Sequence, residues 1–459
     1  MNPGKYNRAY TRRSLLSGIG GLTLTSCGVL NPLWRTLAHA GDDTAAYPEH
    51  LLSLTEYTKG KVSEGDEIDS ENVEHVADLL DPIRLQQVSM LGRRLKTRVP
   101  TRAIEYLMPG PYLEATLRNQ GQAYFDEKMN VRASGGEPWI GGNPFPDPKT
   151  ALEVFAGHTL SWGRHDASLY TAKEFDVGRN GKVKYRYESV WAEYAPVGRT
   201  VLEPRPARPD MRDKLRYQSI IFTAPNDFKG TSFLNVWPYD QRQFPDLKGY
   251  IPAFKRIRSF PTNQRFEPLI PGSSLYLSDA WAAGDPFLTW GDYRVVHRGP
   301  ALASISGNWE HQHSNWEHST HGPDGGERWW DMQVELIPEA IVVEAKPTGF
   351  PRAPISKKQV WFDARTLLPF VMVSFDRRGD VFRSFDGAYS RYEAGDNRVM
   401  DGGLPYWSWT HLHAHNVQTH EITRIEQVAS LRGGHRMLVD DEAIFSRYLT
   451  THAMRRFGN

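Results

Sequence analysis

The stretch from Ile220 to Trp281 has the hydrophobic pattern of consecutive β-strands separated by short turns. A first strand at 220–223 ends at Ala-Pro-Asn-Asp, because proline lacks a backbone donor and Asn and Asp favour turns. A second strand is predicted over Thr231–Trp237 and a third over Gly249–Phe260. Since no crossover helix separates these strands, the pattern predicts an antiparallel meander.

Further strands are predicted on both sides of this stretch from the same period of two. Alternating apolar and polar positions mark strands at 182–194, 328–338, 340–346, 359–362, 370–375 and 381–385. Short turns rich in Asp, Gly and Pro connect the last three of them. The pattern therefore predicts one large β-rich unit.

The N-terminal part has a helical period instead. Between residues 47 and 100, a first helix is predicted over Tyr47–Lys61, and a second ends before Asp81-Pro82. A third, short helix follows that proline. A further amphipathic segment covers Thr150–Leu160, after a loop rich in Gly and Pro. These apolar stripes indicate helices that pack against the sheet.

Several motifs in the opening stretch match those of a known family. The pattern P-x-D-x-x-G-T-x-F-L is followed by Tyr-x-Pro, then Arg-x-Arg, then G-S-x-L-x-x-S-D. The matching residues are Pro225, Asp227, Gly230, Thr231, Phe233, Leu234, Tyr250, Pro252, Arg256, Arg258, Gly272, Ser273, Leu275, Ser278 and Asp279. In their order and spacing, the chain resembles the Gram-negative family called domain of unknown function 1329. That family is related to the LolA/LolB-like periplasmic lipoprotein carriers.

The resemblance implies an α+β, mostly β fold. In it a large antiparallel sheet curls into a half-barrel, with helices packed at the N-terminal part and in the concavity. It also implies a periplasmic carrier of a lipid-like or other hydrophobic molecule, serving an inner-membrane exporter and needing no cofactor. Aromatic residues make up 12% of the chain, which suits strands and apolar cavities. Burying one methylene is worth about 0.8 kcal/mol, so such a cavity binds without chemistry.

The first 40 residues have the features of an export signal. Arg12 and Arg13 form a twin-arginine pair before a weakly apolar run, and Ala38-His39-Ala40 fits a cleavage site. Cys27 also lies in a string that fits a lipoprotein cleavage box. We therefore expect export to the periplasm, with either a cut after Ala40 or a lipid anchor on Cys27. The mature chain, 41–459, is predicted to be a single domain with a C-terminal extension and no transmembrane span.

Charge and cysteine content exclude several classes of function. The chain has 55 basic and 54 acidic residues, so nothing favours nucleic acid as a partner. Its single cysteine excludes disulfides and thiolate metal clusters within one chain. The sequence contains no G-x-S-x-G, H-E-x-x-H or G-x-x-x-x-G-K-S/T motif. A familiar hydrolase, zinc protease or nucleotide-binding site is therefore not predicted.

Two clusters hold eight of the 16 histidines and favour a second hypothesis. One lies at 308–321, where Asn-Trp-Glu-His occurs twice, and the other contains His411, His413, His415 and His420. On a strand, alternate histidines share one face about 6.5 Å apart. Imidazole suits zinc, iron, nickel or copper, so these four residues are candidate ligands of a metal-dependent periplasmic enzyme. The simpler interpretations are a solvated strand face at 411–415 and a flexible loop at 308–321.

Overall fold

A computed structural model describes residues 47–279, 285–323 and 326–458. The export-signal predictions at Arg12, Arg13 and Cys27 lie outside this part of the chain. Sixteen strands form the main sheet. They are β1 (Glu67–Ile68), β2 (Leu95–Thr97), β3 (Ala167–Val177), β4 (Val183–Tyr194), β5 (Lys214–Ala224), β6 (Ser232–Pro238), β7 (Asp246–Ile251), β8 (Arg256–Ser259), β9 (Gly291–Ala303), β10 (Gln333–Lys346), β11 (Ile355–Asp363), β12 (Pro369–Asp376), β13 (Val381–Arg391), β14 (Trp407–Asn416), β15 (Glu421–Gln427) and β16 (Leu438–Val439).

The sheet is open and mostly antiparallel. Its strand order is β1-β2-β10-β11-β12-β13-β14-β15-β3-β4-β5-β6-β7-β8, with β9 also paired to β10 and β16 to β3. Within this described sheet, only β2 and β10 pair in parallel. Most consecutive strands are neighbours joined by short turns, which explains the antiparallel pairing. The predicted fold class is confirmed: mostly β, with one large curled sheet that does not close into a barrel.

Helices surround the sheet. They are α1 (Leu54–Tyr57), α2 (Pro82–Leu91), α3 (Gly110–Arg118), α4 (Ala151–Leu160), α5 (Ala443–Tyr448) and α6 (Thr451–Gly458). Segments of 3-10 helix lie at Glu49–Leu51, Val73–Leu79, Ile104–Tyr106, Pro209–Met211, Pro252–Phe254, Thr262–Phe266 and Phe287–Thr289, and the second of them is kinked at Val76. Thr150 and Glu153 start α4 with a reciprocal capping box. In the described part of the chain, no helix is long and apolar enough to cross a membrane.

Two predictions differ from the structure near turns. The helix predicted over 47–61 is α-helical only at Leu54–Tyr57, because Lys59 and Gly60 take left-handed φ angles of 54° and 75°. The strand predicted over 249–260 is the hairpin β7–β8. Pro252 starts a 3-10 turn there, and Lys255 leaves it at φ 49°.

Pro338, unlike Pro252, lies inside a strand that was predicted to be interrupted there. Two strands were expected on either side of it, whereas β10 continues through it. On the facing strand β9, the register shifts between Gly299 and Ala301, opposite Ile337 and Ala340. A bulge at this point accommodates a residue that cannot donate to the ladder.

The central strands of the sheet, such as β10, β12 and β14, are buried on both faces, so both sets of alternating side chains matter. One face, here called the α4 face, carries residues such as Phe362, Leu412 and Ile425 and packs against α4 in the largest apolar cluster. The opposite face, here called the histidine face, carries His411, His413 and His415. It is covered by α2 and by the segment 308–330, which places polar side chains in the interior.

Candidate functional site

The alternating histidines of β14 lie in the interior, and the solvated strand face that was the simpler interpretation is not found. His411 and His413 are 0% exposed and His415 is 1% exposed. Nε2 of His413 accepts a hydrogen bond from the backbone N–H of Trp330 at 3.0 Å. Nδ1 of His415 lies 3.0 Å from the side-chain amide of Gln87 on α2, which donates to it. The three histidines are thus held by the segments that cover them.

The two histidine clusters meet in this layer. The ring of His318, from the first cluster, lies 4.1 Å from the ring of His411 between centroids. His321 is also buried, with Nδ1 3.0 Å from a carboxylate oxygen of Asp331. Instead of forming a flexible loop, this part of the 308–321 segment packs on the sheet. His313 remains half exposed near the surface.

Burial lowers the pKa of the three β14 histidines and of His318, which favours their uncharged form near neutral pH. It lowers the pKa of His413 to about 4, against the nearby Asp386 carboxylate, which favours protonation. It lowers the pKa of His415 and of His318 to about 3. Next to them, Arg93 pairs with Asp386 at 2.5 Å in the same buried layer. Neutral imidazoles are the form that binds metals, but they are also stable packing groups.

The geometry does not gather these histidines around one point. In the described residues, no three of the ligand atoms of His411, His413, His415 and His420 lie within 4.8 Å of one another. The rings of His411 and His413 are 5.9 Å apart, and those of His415 and His420 are 6.2 Å apart. Metal binding by these four residues stays a prediction. What the structure contains is a layer of packed, neutral histidines.

The α4 face holds a small apolar cavity. Its volume is about 40 Å³. The lining is mainly apolar and includes Trp191, Ile220, Phe222, Leu275 and Ile425. Glu174 and Ser189 add polar groups. An apolar pocket with few converging polar groups is the usual form of a small-molecule site.

Glu174 is the unusual member of this lining. It is 8% exposed, and its Oε1 has no hydrogen-bond partner in the described part of the chain. Burial and the nearby charge of Asp176 raise its pKa well above the ordinary value. Burial also raises the pKa of Asp176 to about 7, although Thr423 donates a hydrogen bond to it at 2.5 Å. The raised pKa favours the protonated, uncharged form of Glu174, whose side chain lines the cavity.

Residues 262–279, here called the strap, cover this cavity. Leu275 and Leu277 of the strap are part of the lining. Arg383 anchors the strap to β13: it pairs with Asp279 at 2.8 Å, and its guanidinium lies 3.5 Å from the centroid of Tyr276. The cavity is thus closed by one segment held through a few identifiable contacts.

Sequence reasoning missed the polar residues of this site but located the strap. Glu174 and Arg383 lie inside long strands among other polar residues, and no motif marks them. All five specified residues of the last family motif do lie in the strap: Gly272, Ser273, Leu275, Ser278 and Asp279. The G-S-x-L-x-x-S-D motif was therefore the available signal, although only the fold shows what it covers.

Comparisons with known proteins agree with the resemblance seen in the sequence. The family model described as "Protein of unknown function (DUF1329)" matches residues 67–455. No curated protein is significantly similar to the chain. A crystal structure of a DUF1329 family protein from Desulfovibrio piger is similar with 15% identity and a TM-score of 0.43, over 66% of this chain and 97% of that one. A LolA superfamily protein from Nitrosomonas europaea is similar with 13% identity and a TM-score of 0.35, over 64% and 95%.

Proposed function

Because this chain belongs to the DUF1329 family, whose description gives no activity, we propose its function from its own site. It is a periplasmic carrier that binds a hydrophobic molecule between the α4 face and the strap. The observation that supports the proposal is the apolar cavity containing a buried carboxyl oxygen of Glu174 that has no hydrogen-bond partner among the described residues. A buried polar atom without a partner costs about 1–3 kcal/mol, which a ligand group bonding to it would recover.

Binding requires the strap to move. The cavity of about 40 Å³ has room for about three water molecules, whereas ligand pockets usually measure about 300–1,000 Å³. A long apolar ligand therefore takes the place of strap side chains such as Leu275 and Leu277. Each methylene that it buries contributes about 0.8 kcal/mol, which offsets the apolar contacts that the strap gives up.

The carboxyl groups define the polar end of the ligand. Because its raised pKa favours the protonated form, Glu174 offers a hydrogen-bond donor and an acceptor but no charge. A ligand carboxylate would meet the partly ionised Asp176, whose pKa is about 7. The proposed ligand is therefore a long apolar molecule with an uncharged end such as a hydroxyl or ester group.

Native mass spectrometry of the protein purified from its periplasm tests this proposal. We expect a bound mass that organic extraction removes. After extraction, a pyrene-labelled fatty alcohol should bind more tightly at pH 7 than the pyrene-labelled fatty acid of the same length. If neither a bound mass nor binding of the alcohol is observed, the proposal is overturned.

Two variants locate the binding site. Ser189→Leu fills the cavity and should abolish alcohol binding, while Asp176→Asn removes the charge that disfavours the acid and should weaken the preference for the alcohol over the acid. Glu188→Gln is the matched control, because Glu188 is adjacent in β4 but points to the other face of the sheet. Thermal unfolding checks that each variant is folded. Equal binding by all three variants would place the ligand elsewhere and refute the site.

The proposal also includes periplasmic localisation and the export route. The Arg12-Arg13 pair supports twin-arginine export, and the family resemblance supports delivery of the ligand by an inner-membrane exporter. Replacing both arginines with lysine should leave the chain in the cytoplasm, as measured by cell fractionation. Metabolic labelling with a palmitate analogue, with Cys27→Ser as control, distinguishes a lipid anchor from cleavage after Ala40. Periplasmic recovery of the twin-lysine variant would refute the proposed route.

A further inference from the structure

We propose that His165, Asp401 and Asp440 form a binding site for a divalent transition-metal ion, separate from the carrier site and from the four predicted histidines. One ligand atom of each residue lies within 4.8 Å of those of the other two. The residues come from three segments that meet where β3 and β14 begin. His165 precedes β3, Asp401 lies in a short hairpin before β14, and Asp440 follows β16.

The histidine ring is oriented for metal binding. Its Nε2 lies 2.9 Å from the backbone carbonyl of Trp407, which can only accept, so Nε2 carries a proton and donates it. The lone pair of the neutral ring is then on Nδ1. That atom lies 3.7 Å from Oδ2 of Asp440 and 3.9 Å from Oδ2 of Asp401. Metal-binding histidines commonly donate their other ring N–H to a carbonyl in this way.

The distances from His165 Nδ1 to the two carboxylates suit a bridging cation better than direct hydrogen bonds. Both separations exceed hydrogen-bond length, so the three groups face one another across a gap. Two ligands of a tetrahedral zinc ion, each about 2.0 Å from it, lie about 3.3 Å apart. Moving each ligand atom inward by a few tenths of an ångström would therefore complete the coordination of an ion.

The carboxylates of Asp401 and Asp440 differ in the hydrogen bonds that they accept. Oδ1 of Asp440 accepts a hydrogen bond from the backbone N–H of Asp166 at 2.8 Å, which holds this side chain while Oδ2 faces His165. The carboxylate of Asp401 accepts no hydrogen bond from the part of the chain that the structure describes. Two converging carboxylates repel each other, and a divalent cation between them removes that repulsion.

Access and ligand type define the ion. The side chain of Asp401 is 22% exposed, whereas that of His165 is 4% exposed, so the site opens towards solvent at Asp401. Solvent water can thus supply a fourth ligand. Imidazole with two carboxylates suits Zn²⁺ and neighbouring divalent ions, while Ca²⁺ and Mg²⁺ take oxygen ligands. Three protein ligands with one open position is the pattern of zinc sites that also bind small molecules.

Calorimetric titration with Zn²⁺ alone tests the site. The full exported chain is first stripped with a chelator, and Co²⁺ absorption then reports a nitrogen- and oxygen-ligated centre. We expect one equivalent of Zn²⁺ to bind. Asp401→Asn should weaken binding by more than about 100-fold, because loss of even an outer partner of a metal site has an effect on that scale.

Asp401→Asn is suited to this test because it preserves shape and removes no hydrogen bond within the described chain. Asp396→Asn is the matched control, an exposed aspartate in the preceding hairpin whose loss should leave the affinity unchanged. Absence of Zn²⁺ binding by the wild-type chain would overturn the proposal, leaving His165 as an imidazolium paired with two carboxylates. Binding that survives both Asp401→Asn and His165→Asn would also overturn it and would assign the zinc to the histidine face.

Discussion

Replacing His415 with asparagine is expected to make the fold less sensitive to acid. In the folded chain, burial lowers the pKa of this histidine from 6.5 to about 3, so it stays neutral at pH 5. In the unfolded chain it is protonated at that pH. Proton uptake by the unfolded state alone lowers the free energy of unfolding as pH falls from about 7 towards 3. The variant lacks this proton uptake.

The magnitude follows from the two pKa values. Between pH 7 and pH 5, a group with pKa 6.5 when unfolded and about 3 when folded changes the free energy of unfolding by about 2 kcal/mol. Buried carboxyl groups with a raised pKa have the opposite effect on the free energy of unfolding, which they increase as the pH falls. Burial raises the pKa of Glu426 to about 8, so acid stabilises its folded, protonated form. Only the difference between variant and wild type therefore isolates His415.

Urea unfolding at pH 7 and pH 5 measures this difference. Asparagine can accept the hydrogen bond from Gln87 that His415 Nδ1 now accepts, so the variant should fold, with a cost in packing that does not depend on pH. His452→Asn, at an exposed histidine on α6, is the matched control. We expect the wild-type chain to lose about 2 kcal/mol more than His415→Asn between the two pH values.

The result that would refute this reasoning is an identical change in unfolding free energy for His415→Asn and the wild-type chain. That outcome would mean that His415 takes up a proton in the folded state as readily as in the unfolded state. The histidine layer would then be hydrated or open to solvent, contrary to its 1% exposure.

Two further substitutions test the buried framework. Arg93→Met leaves the Asp386 carboxylate buried without its partner and should cost about 3–5 kcal/mol in urea unfolding, whereas Arg94→Met at an exposed ion pair should cost less than about 1 kcal/mol. Equal costs would contradict the burial argument. Gly142→Ala should lower the melting temperature by more than Gly121→Ala. Both glycines have positive φ, but only at Gly142 would the new Cβ collide with the backbone of α3. Equal shifts would show that backbone strain alone decides.

The fold was largely predictable because strand periodicity reports which side chains are buried. Strand β4 matches its predicted range closely, and α4 starts at the predicted Thr150. Turns were less predictable. Pro252 ends a strand while Pro338 lies within one, because the register shift at Pro338 places a bulge in its own strand, β10.

The burial of the histidines was not predictable from β14 alone. Alternation placed His411, His413 and His415 on one face, as expected for a strand. Whether that face meets water or protein depends on α2 and the 308–330 segment, which lie 80 or more positions away in the sequence. The same pattern that resembled a metal site or a solvated face belongs to a buried layer.

Strand periodicity, the N-terminal helical pattern and the family motifs were enough to assign the fold class and the family of this protein. Which polar side chains meet became known only from the folded chain. Glu174 faces the strap. His165 faces Asp401 and Asp440, which lie more than 200 positions later in the sequence. The reason is that sequence patterns report only interactions between residues that are close together in the chain. Periodicity and capping act within one element, whereas a site forms from the ends and faces of several elements, whose relative placement is set by packing of the whole sheet.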